Sequence, residues 1–128
     1  MKIDVYSANV TAPNGSFVSN SDISLKSNVS NVSTDECLRL IERIDPKTYT
    51  RNDLNDEKRV GFISNDFEAE LSDDMRNIVG SYRSDEGGHL TTTLDYGRLT
   101  TVLWAVVKNL NERVKNHEAR IEAIEAML

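Results

Sequence analysis

At 128 residues, 38% apolar and with a net charge of −6, the chain suits one domain, and no Lys/Arg run exceeds two residues, which excludes a phosphate-tracking surface for nucleic acid. Cys37 is the only cysteine and the histidines are His89 and His117, so an internal disulfide is excluded, and neither a metal site nor a cofactor has support. With no apolar run of about 18 residues and no apolar leader at the amino terminus, the expectation is a soluble protein made in a cytoplasm, with no membrane partner.

Lys2 to Tyr6 alternates like a short strand, and Ala12-Pro13-Asn14-Gly15 is a turn signal before Phe17 and Val18. This segment holds too little apolar surface to fold alone and reads as the end of a stalk. Residues 7 to 34 hold eight serines and five asparagines, and Ser19 to Ser33 reads as an extended linker with isolated Ile23, Leu25, Val29 and Val32. Four serines lie within five residues of Lys26, so spacing alone does not single out a catalytic pair.

Ser33 opens a capping box with Glu36, and Cys37, Leu40, Ile41 and Ile44 share one helical face until Asp45-Pro46. Cys37 is expected to be a reduced core thiol. Thr48 to Thr50 and Arg59 to Ser64 read as strands around the polar turn Asn52 to Glu57. Phe67 to Leu71 and Met75 to Val79 are weaker helical pieces. Gly80 to Arg83 and His89 to Leu94 flank Ser84-Asp85-Glu86-Gly87-Gly88, whose glycines suit the tip of a second hairpin.

The clearest periodicity comes last. Leu103, Val107, Leu110, Val114, His117, Ile121, Ile124 and Leu128 repeat in steps of four and three, which is a coiled-coil seam. Val107, Val114, Ile121 and Leu128 take the a positions, and Leu103, Leu110, His117 and Ile124 the d positions. Arg113 and Arg120 then sit at g, each five residues before an e glutamate, Glu118 and Glu125, the spacing of interhelical ion pairs in a parallel coil. β-branched residues at both a and d favour a trimer over a dimer. His117 reads as a tolerated polar d residue, with a register or pH-sensing role as the alternative.

The expected fold class is therefore α+β, with small helices and short β-hairpins followed by a long C-terminal helix that forms a parallel three-stranded coiled coil. The expected divisions are residues 1–20 as the end of a stalk or linker, 21–97 as a central domain and 98–128 as the coil.

Ser21-Asp22, Leu25-Lys26 and Asn28-Val29 form a motif of serine-aspartate, two variable residues, an aliphatic, lysine, one variable residue, asparagine and an aliphatic. Leu40, Ile44, Pro46, Tyr49, Gly61-Phe62-Ile63 and Leu94-Asp95-Tyr96 follow in order, and the chain closes on the heptad helix. This ordered set resembles the C-terminal intramolecular chaperone of endosialidases, phage tail fibres and neck appendages, also found in myelin regulatory factor-type transcription factors. The sequence departs from that pattern in carrying Ser64-Asn65-Asp66 where the family usually has Ala-Gln-Glu, and in lacking a proline-containing stretch around Leu71 to Met75.

The resemblance implies a homotrimer that assists folding of its own N-terminal β-structured passenger, a viral fibre or tailspike, in a host cytoplasm during virion assembly. It also implies self-cleavage between Asn20 and Ser21, with Ser21 as nucleophile and Lys26 as general base of a cis-acting, single-turnover serine endopeptidase. Asp22 and Asn28 are possible supporting groups, for which a backbone-turn role is the alternative. Two other readings stay open at the level of sequence: a trimerisation module that cuts nothing, and the same domain releasing a transcription factor from a membrane anchor.

Overall fold

The computed structural model describes residues 14–16, 18–83 and 88–128 in two units, one ending at Asn31 and one running from Val32 to Leu128. The expected strand at Lys2 to Tyr6 and the tip of the second hairpin, residues 84–87, lie outside the described residues.

In the first unit, Gly15 takes φ +77° and Ser16 N–H donates to Asn14 Oδ1 at 3.2 Å, completing the turn expected after Pro13. From Val18 to Asn31 the chain carries one 3-10 turn, Ile23–Leu25, and a bend at Asn28. Val18, Ile23, Leu25 and Val29 are exposed, as suits a polar linker.

The second unit opens with α1, Thr34–Arg43. Its N-terminus is capped by Ser33, whose hydroxyl accepts the Glu36 N–H at 3.2 Å; Asp35 and Glu36 lie in the first turn and Arg43 in the last, as the helix dipole favours. Ile44 closes the helix, because Pro46 disfavours helical backbone at Asp45. Strands β1, Lys47–Arg51, and β2, Glu57–Gly61, pair antiparallel, with Lys47 opposite Gly61 and Arg51 opposite Glu57. Asn55 and Asp56 in the connecting loop take φ of 52° and 53°, a region these short polar residues tolerate. Helix α2, Ser64–Glu68, and a 3-10 helix, Asp73–Ile78, lead to β3, Val79–Arg83, which pairs antiparallel with β4, Leu90–Leu94. Helix α3 runs over Tyr96–Glu125, 30 residues, or about 45 Å.

The core joins Cys37, Leu40 and Ile44 to Phe67, Leu71, Met75 and Ile78, and to Leu99, Val102 and Val106 of α3. Cys37 is fully buried and reduced, and burial, with the charge of neighbouring Glu36 second, pushes its thiol up. The structure is thus α+β with short hairpins and a long C-terminal helix.

Several expectations need correction. Ile41 is 45% exposed while its helical neighbours Leu40 and Ile44 are buried. The second strand of the first hairpin stops at Gly61, and Ser64, read as strand, begins α2. The helical piece placed at Phe67 to Leu71 lies earlier, and the one at Met75 to Val79 is a 3-10 helix that starts at Asp73. A capping box needs the Glu36 carboxylate to reach back to Ser33 N–H. Instead it crosses to the start of the 3-10 helix, where Oε1 accepts the Ser72 N–H and Oε2 the Ser72 hydroxyl, both at 2.8 Å.

That crossing has a pH consequence. The Ser72 hydroxyl, then its N–H, hold the Glu36 carboxyl below the usual carboxylate range. With the folded value depressed, the stabilisation is fully present above the unfolded pKa of about 4.3 and is lost as pH falls through the folded value. Glu36→Gln is expected to cost roughly 1–3 kcal/mol at neutral pH. Urea unfolding should show it losing less stability than the parent between about pH 5 and pH 3. Equal acid sensitivity in the two proteins would remove Glu36 from this role.

Candidate active site

The pair singled out by the resemblance is assembled by one turn of chain. Five extended residues span about 17 Å, far beyond side-chain contact for Ser21. The 3-10 turn shortens that path: Leu25 N–H donates to Asp22 C=O at 3.1 Å and Lys26 N–H to Ile23 C=O at 3.0 Å. Lys26 is thereby turned back on Ser21, and its Nζ lies 2.7 Å from Ser21 Oγ. This is within the reach that proton transfer between a nucleophile and its base requires.

Asp22 makes the turn. Its carboxylate caps it by accepting the Ser24 N–H at 2.8 Å, and hydrogen bonding by Ser24 holds the Asp22 carboxyl below its ordinary value. The Asp22 carboxylate thus holds the backbone turn that lies between Ser21 and Lys26. Asn28 takes φ 53°, a left-handed conformation that asparagine adopts more readily than most residues. A β-branched residue there would strain the bend that follows Lys26.

Ser21 and Lys26 are both exposed. An ammonium donates a proton to Ser21 Oγ, whereas a general base must take one, so the pair works as a base and nucleophile only when Lys26 is neutral. A free lysine titrates near ~10.4, and desolvation is what brings such a group down.

Within the second unit, two of the quoted motifs meet. Phe62 N–H donates to Tyr96 Oη at 2.9 Å, and the rings of Phe62 and Tyr96 lie with centroids 6.0 Å apart. Gly61-Phe62-Ile63 and Leu94-Asp95-Tyr96 thus form one junction between the end of β2 and the start of α3. Asp95 caps α3 by accepting the Arg98 N–H at 3.1 Å, pairs with the Arg98 guanidinium, and has its carboxyl lowered by those same contacts. Ser64 and Asn65, at the departure from the usual pattern, tie α2 to β4: Ser64 Oγ donates to Thr92 C=O at 3.2 Å and Asn65 Nδ2 to Thr92 Oγ1 at 3.4 Å. Where the proline-containing stretch is missing, Arg76 closes the loop by donating to Glu68 C=O at 2.8 Å and Leu71 C=O at 2.7 Å.

Along α3, Leu103, Val107, Leu110, Val114, Ile121 and Ile124 are exposed, as is Leu128 beyond its end, while the buried side of α3 is carried by Leu99, Val102 and Val106. Sequence reasoning missed two contacts here: the crossing of the Glu36 carboxylate to Ser72 and the acceptance of the Phe62 N–H by the Tyr96 hydroxyl, neither of which leaves a local signal.

Residues 21–76 match the Peptidase_S74 family model, chaperone of endosialidase. The match begins at Ser21 and ends two residues before the last core position of the 3-10 helix, Ile78, so the junction at Tyr96 and the heptad helix lie beyond it. No curated protein matches the chain. Over that stretch the chain is similar to the chaperone of endosialidase family.

Proposed function

We propose that the chain is a homotrimeric intramolecular chaperone which holds a β-structured viral fibre or tailspike passenger during folding and then releases itself by cutting between Asn20 and Ser21. The single observation that carries the cutting is the 2.7 Å approach of Lys26 Nζ to Ser21 Oγ inside a segment that the family match includes from its first residue.

With Lys26 neutral, Ser21 Oγ gives its proton to Nζ and attacks the carbonyl carbon of Asn20. The C–N bond of that peptide breaks as Lys26 returns the proton to the leaving Ser21 nitrogen. An ester then joins the Asn20 carbonyl to Ser21 Oγ. Water hydrolyses it, giving a carboxylate at Asn20 and restoring the Ser21 hydroxyl beside a new α-amine. Splitting amide hydrolysis into acyl shift and ester hydrolysis lowers the largest barrier, and the nucleophile is already next to its target. Desolvation of Lys26 on assembly would arm the pair, so that cutting reports a trimerised passenger.

The apolar stripe on α3 and the heptad pairing of Arg113 with Glu118 and Arg120 with Glu125 support assembly as parallel chains. A second reading, a trimerisation module that leaves the chain whole, is favoured by the exposure of both Ser21 and Lys26, which places the pair outside any enclosed site.

Intact mass of the purified chain with its upstream segment decides between them. The parent is expected to lose everything before Ser21, with both Ser21→Ala and Lys26→Ala remaining whole. If parent and variants all stay whole as stable trimers, the module does not cut.

A further inference from the structure

Trp104 is the chain's only tryptophan and is 77% exposed, an unusual setting for the residue type that most often anchors interfaces. It sits at e, whereas the core contacts of α3 come from Leu99 and Val106 at g and Val102 at c. Each chain therefore carries its body on the g side of its own helix and leaves the e side bare.

On the g side lies a shallow apolar cavity lined by Leu40, Ile41, Phe62, Phe67, Leu99 and Leu103, among others. Ile41, at 45%, and Leu103, at 53%, are its exposed members, so they edge the mouth. Phe62 and Phe67 form its back wall, packed edge to face with centroids 5.3 Å apart.

Parallel coils place the g residue of one helix beside the e residue five positions later on the next. Applied to Arg113 and Arg120, this rule yields the ion pairs with Glu118 and Glu125. One heptad and two heptads earlier it pairs Val106 with Asn111 and Leu99 with Trp104. Leu99 lines the cavity, and Leu103 at its mouth is the d residue of the same layer.

We infer that Trp104 of one chain packs into the mouth of this cavity on the neighbouring chain, so that assembly joins each body to the next helix as well as helix to helix. The occupant is a second copy of this chain, held in position by the charge-complementary register of the coil. The inference rests on the proposed parallel assembly and adds a contact that a bare coil lacks. It also accounts for the one core-face position of α1, Ile41, that its own chain leaves uncovered.

The test uses the fluorescence of the single tryptophan in the full chain, followed over a dilution series alongside sedimentation. The assembled protein is expected to show blue-shifted emission and resistance to acrylamide, both lost as the mass falls to that of one chain. Ile41→Glu, at an exposed position, should keep the assembled mass but red-shift Trp104 and restore quenching. Trp104→Ala should leave the helical signal intact and raise the dissociation constant by ~10-fold or more, as for an interface anchor. An assembled parent with fully quenchable Trp104, or an Ile41→Glu variant assembled with unchanged emission, overturns this contact and leaves the coil standing. A parent that is monomeric at every concentration overturns both the contact and the assembly on which it rests.

Discussion

Leu110→Lys combined with Ile124→Lys is expected to leave the chain monomeric and, with it, to leave the Asn20–Ser21 bond intact. Both positions lie on the exposed stripe of α3, beyond Val106, the last residue that the body buries. The body should therefore keep its fold, and the far-ultraviolet helical signal should fall by no more than fraying of the free helix end. Assembly is another matter. Each leucine or isoleucine moved from water into a coil contributes roughly 1.5–3 kcal/mol, and that gain vanishes at both layers. In its place three ammonium groups would converge at each layer, and an unpaired buried charge costs several kcal/mol even after relaxation. The two effects share a sign, so sedimentation should show one chain at concentrations where the parent is assembled.

Cleavage in that variant then separates chemistry from assembly. The hydrogen-bonded approach of Lys26 to Ser21 lies within one short segment, and its geometry does not need a second chain. Its protonation state does, if desolvation by neighbouring chains is what neutralises the lysine. An uncut monomer supports that coupling. A monomer cut as fully as the parent would mean the turn alone arms Lys26, and release would no longer report assembly.

How far the sequence led depended on the range of the interactions involved. Helix α1 and the heptad of α3 were legible because their signals are local: a serine cap, apolar residues at helical spacing, an unbroken four-three repeat. The hairpins were legible as pairs of short β-prone runs around turn residues, though Ser64 was misplaced because the β-prone pair Phe62-Ile63 carries the strand pattern past Gly61, where β2 ends. Glu36 shows the opposite limit. A serine three residues before a glutamate is a sound local signature, yet Ser72, 36 residues further on, offers that carboxylate two donors at the start of another helix. Nothing in the local pattern records the competitor. For the candidate site, composition made Ser21 one of several equivalent serines, and the resemblance alone picked it out. The turn that brings Lys26 to it depends on Asp22, whose capping role is a standard local one.

The junction of Gly61 and Tyr96 makes the most specific energetic claim. A Cβ on Gly61 would lie 2.5 Å from Tyr96 Oη, closer than packed atoms allow, and 3.0 Å from Tyr49 Oη, tight enough that Tyr49 would have to shift. Tyr96 cannot simply swing aside, because its hydroxyl is the acceptor for the Phe62 N–H at 2.9 Å and its residue opens α3. Gly61→Ala therefore either strains the junction or strips that N–H of its partner, and roughly 2–4 kcal/mol of stability should be lost. Tyr96→Phe removes the hydroxyl, costing the hydrogen bond but opening the space. In that background Gly61→Ala should cost visibly less, leaving a coupling of about 1 kcal/mol or more in a double-mutant cycle measured by urea unfolding. Additive losses would mean the alanine is resisted mainly by Tyr49, and the glycine would then be required by the hairpin alone. A strong coupling ties the end of the first hairpin to the first turn of α3, so that the long helix leaves the body in one fixed direction. The proposed assembly of chains in register through that helix requires such a fixed exit.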